Sequence, residues 1–305
     1  MNYYFRLDPS NYRAISLISI PGKVFTRTLL QRIKAKSEGF IKDNQFGFRP
    51  NRGTIDAIFI TRQIIEKAKE HNVHVHFNFV DFKSAFDTIW REALWKMLNS
   101  IGISKKIVNI IKKIYENTEC AITVDGKLTN WFSVLIGLRQ GCLLSPTLFN
   151  IFLEFVINEI KCIPQRFAMD DNDLALIIKY ADDTTLLALG FQKLQELTSQ
   201  LQNACSKWGM KINIDKCKVL TASQNHITIH GNNINNINEF IFLGSSVPNV
   251  KTDIDRRIAL ASTAFGRLRN SVWSKRNISL KLKMRLFRAL ILPIAIYASD
   301  YKGRK

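Results

Sequence analysis

Residues 174–189 read LALIIKYADDTTLLAL, and this stretch decides the fold. Two short apolar runs, Leu174 to Tyr180 and Thr184 to Leu189, flank Ala181-Asp182-Asp183. Runs of that length around a brief polar centre form a β-hairpin, here with carboxylates at its turn. A second carboxylate lies upstream. Residues 73–79 alternate Val, His, Val, His, Phe, Asn, Phe, the period of a strand with one apolar face, and Asp81 ends that strand. Asp81 shares the parity of Val73, Val75, Phe77 and Phe79. A ligand-facing carboxylate would then sit on the apolar face, unless a bulge or the strand end breaks the register.

Helices surround these strands. Pro21 to Lys36 opens with Pro in its first turn and spaces Val24, Leu29 and Ile33 on one face. Thr54 is expected to cap a helix through Glu70 with Ile55, Ile58, Arg62 and Ile65 on one stripe. Residues 92–116 predict two amphipathic helices broken near Gly102-Ile103-Ser104, and Thr147 to Ile163 a long apolar one. Phe191 to Trp208, Asp255 to Arg269, and a helix from a Ser279 cap to about Leu292 follow, with short strands at Ile227–Ile229 and Phe240–Leu243. The fold class expected is α+β, strands in the middle and helices around them.

The chain has 305 residues, 46% apolar, enough for a well-buried core. Its net charge of +19 attracts a polyanion through steering and counterion release. The excess is uneven: residues 256–305 hold 13 Lys or Arg against the single acid Asp300. Five scattered cysteines, with no CxxC spacing, support neither a disulfide framework nor a zinc knuckle and suggest a reducing, intracellular compartment. The longest apolar stretch, 289–298, is half of the ~20 residues a membrane span needs.

Phosphoryl transfer to a primer hydroxyl uses two divalent cations about 4 Å apart. Magnesium takes few carboxylates plus substrate phosphates, so two or three Asp on adjacent strands suffice. Asp81, Asp182 and Asp183 meet that demand if their strands are neighbours. Taken alone, the tetrapeptide Tyr180 to Asp183 reads equally as an acidic turn. The denser cluster Asp170, Asp171 and Asp173 lacks the Gly and closing Glu of a calcium loop and reads as a solvated turn. His74 and His76 sit on the polar face of the alternating strand, and neither they nor His71 has a completing ligand nearby in sequence.

Company decides between these. Asn11-Tyr12-Arg13-Ala14-Ile15-Ser16-Leu17 resembles the fingers motif NYRPISL, and residues 45–50, QFGFRP, resemble QxGFRP. Residues 79–87, FVDFKSAFD, resemble motif A; 137–146, GLRQGCLLSP, motif B; and 180–183, YADD, motif C. Residues 209–216 resemble motif D and 240–244, FIFLG, the primer grip. In this order the seven resemble the reverse transcriptase domain of non-LTR (LINE-type) retrotransposons, with kinship to group II intron and telomerase polymerases. The resemblance runs from Asn11 to about Ser246.

It implies a right-hand polymerase of fingers, palm and the start of a thumb, with an antiparallel palm sheet backed by helices. Residues 1–247 would be interleaved fingers and palm, and 248–305 a basic helical segment starting the thumb. Asp81 and Asp182 would bind two Mg2+ ions, assisted by Asp183. Phe86 would be the steric gate that excludes a 2′-hydroxyl. Gln140 would contact the incoming nucleotide near its sugar, and Gly141 would let the backbone approach closely. Arg13 could reach the triphosphate, and Arg49 belongs to the substrate-binding set through its fingers motif. Lys216 is a candidate proton donor to pyrophosphate. In the thumb, Ile258, Phe265 and Leu268 would bury one helix face while Arg256, Arg257, Arg267 and Arg269 meet phosphates. RNA template, DNA primer and deoxynucleoside triphosphates are the implied partners, without a membrane; the compartment would be nuclear or cytoplasmic.

Departures remain. Arg6-Leu7-Asp8 stands where relatives carry Lys-Gly-Asp, Ala14 replaces a usual Pro, and residues 297–301, YASDY, replace YGSETW. These suggest a piece of a retroelement polyprotein. An inactive remnant that binds RNA and a group II intron-type maturase are the alternative expectations.

Overall fold

The computed structural model describes residues 15–124, 127–160 and 175–299. Several of its helices begin where the sequence supplies a cap. Ser19 Oγ accepts the Gly22 N–H at 3.3 Å ahead of α1 (Ile20–Phe40). Gly53, not Thr54, caps α2 (Thr54–Glu70), its N–H donating to Asp56 Oδ2 at 2.7 Å. After β1 (His76–Val80) come α3 (Arg91–Ser100) and α4 (Lys105–Tyr115), separated at the expected break. Two small hairpins follow: β2 (Glu119–Cys120) pairs β5 (Phe132–Ser133), and between them β3 (Thr123–Val124) pairs β4 (Lys127–Leu128). Pro146 lies in the first turn of α5 (Ser145–Asn158), which ends before the expected Ile163, a residue outside the described ones.

The quoted stretch forms β6 (Ala175–Tyr180) and β7 (Asp183–Ala188), and α6 (Phe191–Lys207) returns behind them. Then come β8 (Lys218–Leu220), β9 (Thr228–Ile229), β10 (Asn232–Asn233), β11 (Asn235–Ile237), β12 (Phe240–Phe242) and β13 (Ser245–Val247). The described residues end with α7 (Val250–Arg267), a π-helical turn at Arg269–Trp273, α8 (Leu280–Leu290) and α9 (Leu292–Ala295).

Five strands form the main sheet in the order β11-β8-β1-β7-β6. Four are antiparallel neighbours; the edge strand β11 runs parallel to β8, so the sheet is mixed rather than wholly antiparallel. β1 lies at its centre, and all five of its residues are buried. Val80 joins the large core with Leu148, Phe152 and Leu201 of α5 and α6, and Asn78 Nδ2 donates to Thr198 Oγ1 of α6 at 3.0 Å. Phe77 and Phe79 face a second core with Ile58 of α2 and Phe242 of β12, and Phe79 stacks on Phe240 at 4.1 Å.

This corrects two expectations. The strand begins at His76, not Val73, and the face expected to be polar is buried under α6. With both faces covered, sharing the parity of Phe77 and Phe79 does not decide what Asp81 meets. Phe82 returns to the first core, so the alternation continues unbulged, and half-buried Asp81 lies at the strand end.

The C-terminal helices also differ from expectation. Ile258 and Phe265 are 58% and 41% exposed, while Asp253, Arg257 and Ala261 form the buried side of α7. The reason is a polar anchor. Arg62 of α2 pairs with Asp253 at 2.6 Å, both side chains nearly inaccessible, and Ser246 N–H donates to Asp253 Oδ1 at 2.8 Å. Arg256 donates to Gly244 O at 2.8 Å, and Arg257 bonds the same carbonyl while lying over the Tyr297 ring at 4.5 Å. These two arginines are therefore turned inward, not toward phosphates. Among the described residues, no helix is long and apolar enough to cross a membrane.

Candidate active site

Sheet register brings the carboxylates together. β1 and β7 pair antiparallel with Val80 opposite Thr184 as the last pair, so Asp81 lies one residue past it on one strand and Asp183 one residue before it on the other. The β6–β7 ladder closes at Tyr180–Asp183, leaving Ala181-Asp182 as a two-residue turn. Only Ala181 has positive φ, +56°, the pattern of a hairpin turn whose first position is left-handed. Asp182 is half-buried and Asp183 exposed. A carboxylate at a strand end and two at the adjacent turn thus share one edge of the sheet.

The segment expected to be motif D flanks the same edge. Phe82 bridges Ile212, Lys83 N–H donates to Lys211 O at 2.8 Å, and Asn213 N–H donates to Asp81 O at 2.8 Å. Asp81 N–H meets Cys217 Sγ at 3.4 Å. Burial pushes the Cys217 thiol up to about 11, so it is a neutral packing group. Lys216 is exposed in the turn between them, its N–H bonded to Asn213 O at 3.1 Å.

Phe86 lies in the turn after Asp81, half-buried, its ring stacked on Phe149 of α5 at 4.5 Å. Leu138 N–H donates to Phe86 O at 2.7 Å, which ties this turn to the loop before α5. In that loop Gln140 Nε2 reaches both oxygens of Asp87, at 3.3 and 3.4 Å. Gly141 has φ +99°, and a Cβ there would lie 2.7 Å from Ser16 O, so a side chain is excluded twice. Arg91, which the sequence did not single out, holds the loop from behind, donating to the carbonyls of Gly137, Val134 and Ile136 at 2.7, 2.7 and 3.0 Å.

Arg49 is 6% exposed at its side chain, pairs with Glu38 at 2.9 Å and donates to Lys42 O at 2.7 Å. Its Nε and Nη1 are thus engaged by Glu38 and by backbone carbonyls of the same segment. Arg13, and the acidic cluster Asp170, Asp171 and Asp173, lie outside the described residues. His76 is buried, its Nδ1 2.6 Å from Thr221 Oγ1; burial, then His74, lowers its pKa, as suits a neutral core histidine.

Beneath the hairpin lies a polar layer that the sequence hid. Lys179 of β6 and Glu154 of α5 pair at 2.6 Å with side chains 1% and 0% exposed, and burial lowers the Lys179 pKa against the pull of Glu154. A lysine near the end of the apolar run and a glutamate inside the apolar helix were the local signs of it.

The donor set at the sheet edge is hard carboxylate oxygen. Among the described residues no three His, Cys, Asp or Glu side chains form a cage of their own. The chemistry suits magnesium, which takes one or two carboxylates and completes its shell from phosphate and water, and does not suit zinc.

This chain is similar to known proteins in sequence and in fold. It is 26% identical over 97% of its length to the RNA-directed DNA polymerase from mobile element jockey of Drosophila funebris. It is 26% identical over 86% of its length to the Pol polyprotein from type-2 retrotransposable element R2DM of Drosophila melanogaster, of which it covers 24%. The chain spans about a third of the length of the jockey relative, 34%. Among solved structures, a Candida tropicalis telomerase in complex with a TWJ fragment of telomeric RNA superposes with a TM-score of 0.53 and 16% identity, covering 89% of this chain and 46% of that one. That likeness supports the α+β polymerase fold. The reverse transcriptase (RNA-dependent DNA polymerase) family matches residues 6–247, and the chain belongs to that family.

Proposed function

We propose that this chain extends a DNA primer on an RNA template, adding deoxynucleotides to the 3′-hydroxyl by two-metal phosphoryl transfer. Residues 1–247 would supply interleaved fingers and palm, and 248–305 the start of a thumb. The observation that supports this most is the β1–β7 register, whose last pair, Val80 with Thr184, leaves Asp81 one residue past it on one strand and Asp183 one residue before it on the other, next to the Asp182 turn. Similarity to the jockey polymerase over nearly the whole chain and a net charge of +19 support a nucleic-acid template.

Catalysis in this family depends on divalent metal. Two magnesium ions, held by Asp81 and Asp182 with Asp183 in support, would lower the pKa of the 3′-hydroxyl and offset charge on the leaving pyrophosphate. The protein's own part is positioning. Phe86, braced on Phe149, fills the space beside the sugar and rejects a 2′-hydroxyl. Gln140, held by Asp87 in the neighbouring loop before α5, meets the nucleotide near its sugar, and Gly141 permits the close backbone approach of Ser16 that packs this loop. Exposed Lys216, close in sequence to the Asn213 contact with Asp81, can donate the proton that pyrophosphate needs.

Primer extension on RNA with magnesium tests this. Wild type should incorporate deoxynucleotides and Asp182→Ala should not; equal, negligible incorporation by both would refute the activity. Phe86→Ala should admit ribonucleotides, and unchanged sugar discrimination would remove its gate role.

A further inference from the structure

The turn that carries Asp182 is braced from outside its own hairpin. Ala181 adopts a left-handed φ of +56°, which a residue with a Cβ disfavours and which persists only when its surroundings hold it. Its amide and carbonyl lie beyond the last ladder pair, and both meet one side chain. Gln45 Oε1 accepts the Ala181 N–H at 2.9 Å, and Gln45 Nε2 donates to Ala181 O at 3.4 Å. The same Oε1 accepts the Gly47 N–H at 2.9 Å, so both its lone pairs are engaged.

Gln45 is 1% exposed, so water has little access to replace a lost bond. The main chain around it is locked as well. Lys179 N–H donates to Asn44 O and Phe46 N–H to Lys179 O, both at 2.8 Å, and Asn150 Nδ2 donates to Gly47 O at 2.8 Å. A Cβ on Gly47 would lie 2.4 Å from Ala181 N, an approach that only glycine permits.

We propose that Gln45 is a positioning residue for the metal site: its carboxamide sets the conformation of the Ala181-Asp182 turn and so the place where Asp182 presents its carboxylate. This rests on Asp182 being a metal carboxylate. It gives the QFG segment the task of gripping the back of the catalytic turn.

The test uses the full chain labelled with 15N-alanine and compares Gln45→Met, which keeps the volume and removes both bonds to Ala181 and the one to Gly47, with wild type. Amide exchange at Ala181 should accelerate by about tenfold, the scale of one lost hydrogen bond, while Ala188 of β7 keeps its protection. Mn2+, used as a paramagnetic probe, should bind about tenfold more weakly, and the magnesium needed for half-maximal primer extension should rise with it. Affinity for primer–template should not move.

A folded Gln45→Met with unchanged Ala181 exchange and Mn2+ affinity overturns the proposal. So does equal acceleration at Ala188, which would mean general loosening. If Gln45→Met does not fold, Gln45→Asn retracts the same carboxamide by one methylene and must shift exchange and Mn2+ affinity in the same directions; no shift overturns the proposal. Asp182→Ala runs in parallel. If it binds Mn2+ and extends primers like wild type, the metal role of Asp182 falls and takes the proposal with it. If Asp182→Ala is inactive and Gln45→Met matches wild type throughout, only the Gln45 role falls.

Discussion

Replacing Gly47 with Ala adds one methyl group at the back of the catalytic turn. The new Cβ would stand 2.4 Å from Ala181 N, 2.9 Å from Tyr180 C and 3.1 Å from Ala181 Cα. An ordinary contact needs about 3.5 Å, so roughly 1 Å must be found. Every atom in the way is backbone of the hairpin turn, with no flexible side chain to swing aside. On the other side Gly47 is held by Asn150 through its carbonyl and by Gln45 through its N–H. Overpacking of this kind costs about 1–3 kcal/mol, too little to unfold a typical domain of 5–15 kcal/mol. A displacement near 1 Å at a catalytic group costs on the order of a hundredfold in rate.

The expected result is therefore a folded protein with a large loss of turnover. Single-nucleotide primer extension at saturating substrate, alongside thermal unfolding, reads both quantities. Gly39→Ala in α1 serves as the control, since its Cβ would meet no atom within 4 Å; it should gain up to about 1 kcal/mol and keep full activity. Wild-type turnover in Gly47→Ala would refute the claim that close approach at this glycine governs the turn.

Glu154→Ala leaves the Lys179 ammonium buried without its partner and should cost about 3–5 kcal/mol in urea unfolding, whereas the double replacement Glu154→Leu with Lys179→Met should recover most of it. A single variant as stable as wild type would contradict the buried pair. His76 has a lowered folded pKa, so between that value and its unfolded value near 6.5 the unfolded chain binds more protons. Stability should therefore fall as pH drops below about 6.5, and His76→Gln should show a shallower fall in melting temperature over that window; parallel curves would count against it. Arg91→Lys cannot reproduce a fork serving several carbonyls, and each lost bond to a charged donor is worth about 1.5–3 kcal/mol. It should lower the melting temperature and loosen the loop before α5, seen as faster amide exchange at Gly137; an unchanged melting temperature would exclude that bracing role.

Local chemistry marked out most of the elements. Ser279 caps the helix expected of it, the break between α3 and α4 falls where expected, and the YADD hairpin forms with its carboxylates at the turn. These follow from periodicity, caps and turn residues, which act over a few positions and so leave a trace in the string of letters. Arg62 also left a trace: a charge on an apolar helix stripe signals a buried partner, though not which one.

What only tertiary structure decided are the long-range pairings. Nothing near Asp81 shows that β1 is covered on both faces, because the cover comes from α6 on one side and from α2 and β12 on the other. Arg256 and Arg257 read as phosphate ligands until Gly244 and Asp253 claimed them. Gln45 and Ala181 are 136 residues apart, and no local period links them. The sequence alone determined that Asp182 and Asp183 would sit at a hairpin turn and that Asp81 would end a strand; that those strands are neighbours came from the fold. The fold decided what holds that turn in place, because bracing depends on which distant backbone comes within hydrogen-bonding distance, a property of packing rather than of neighbouring residues.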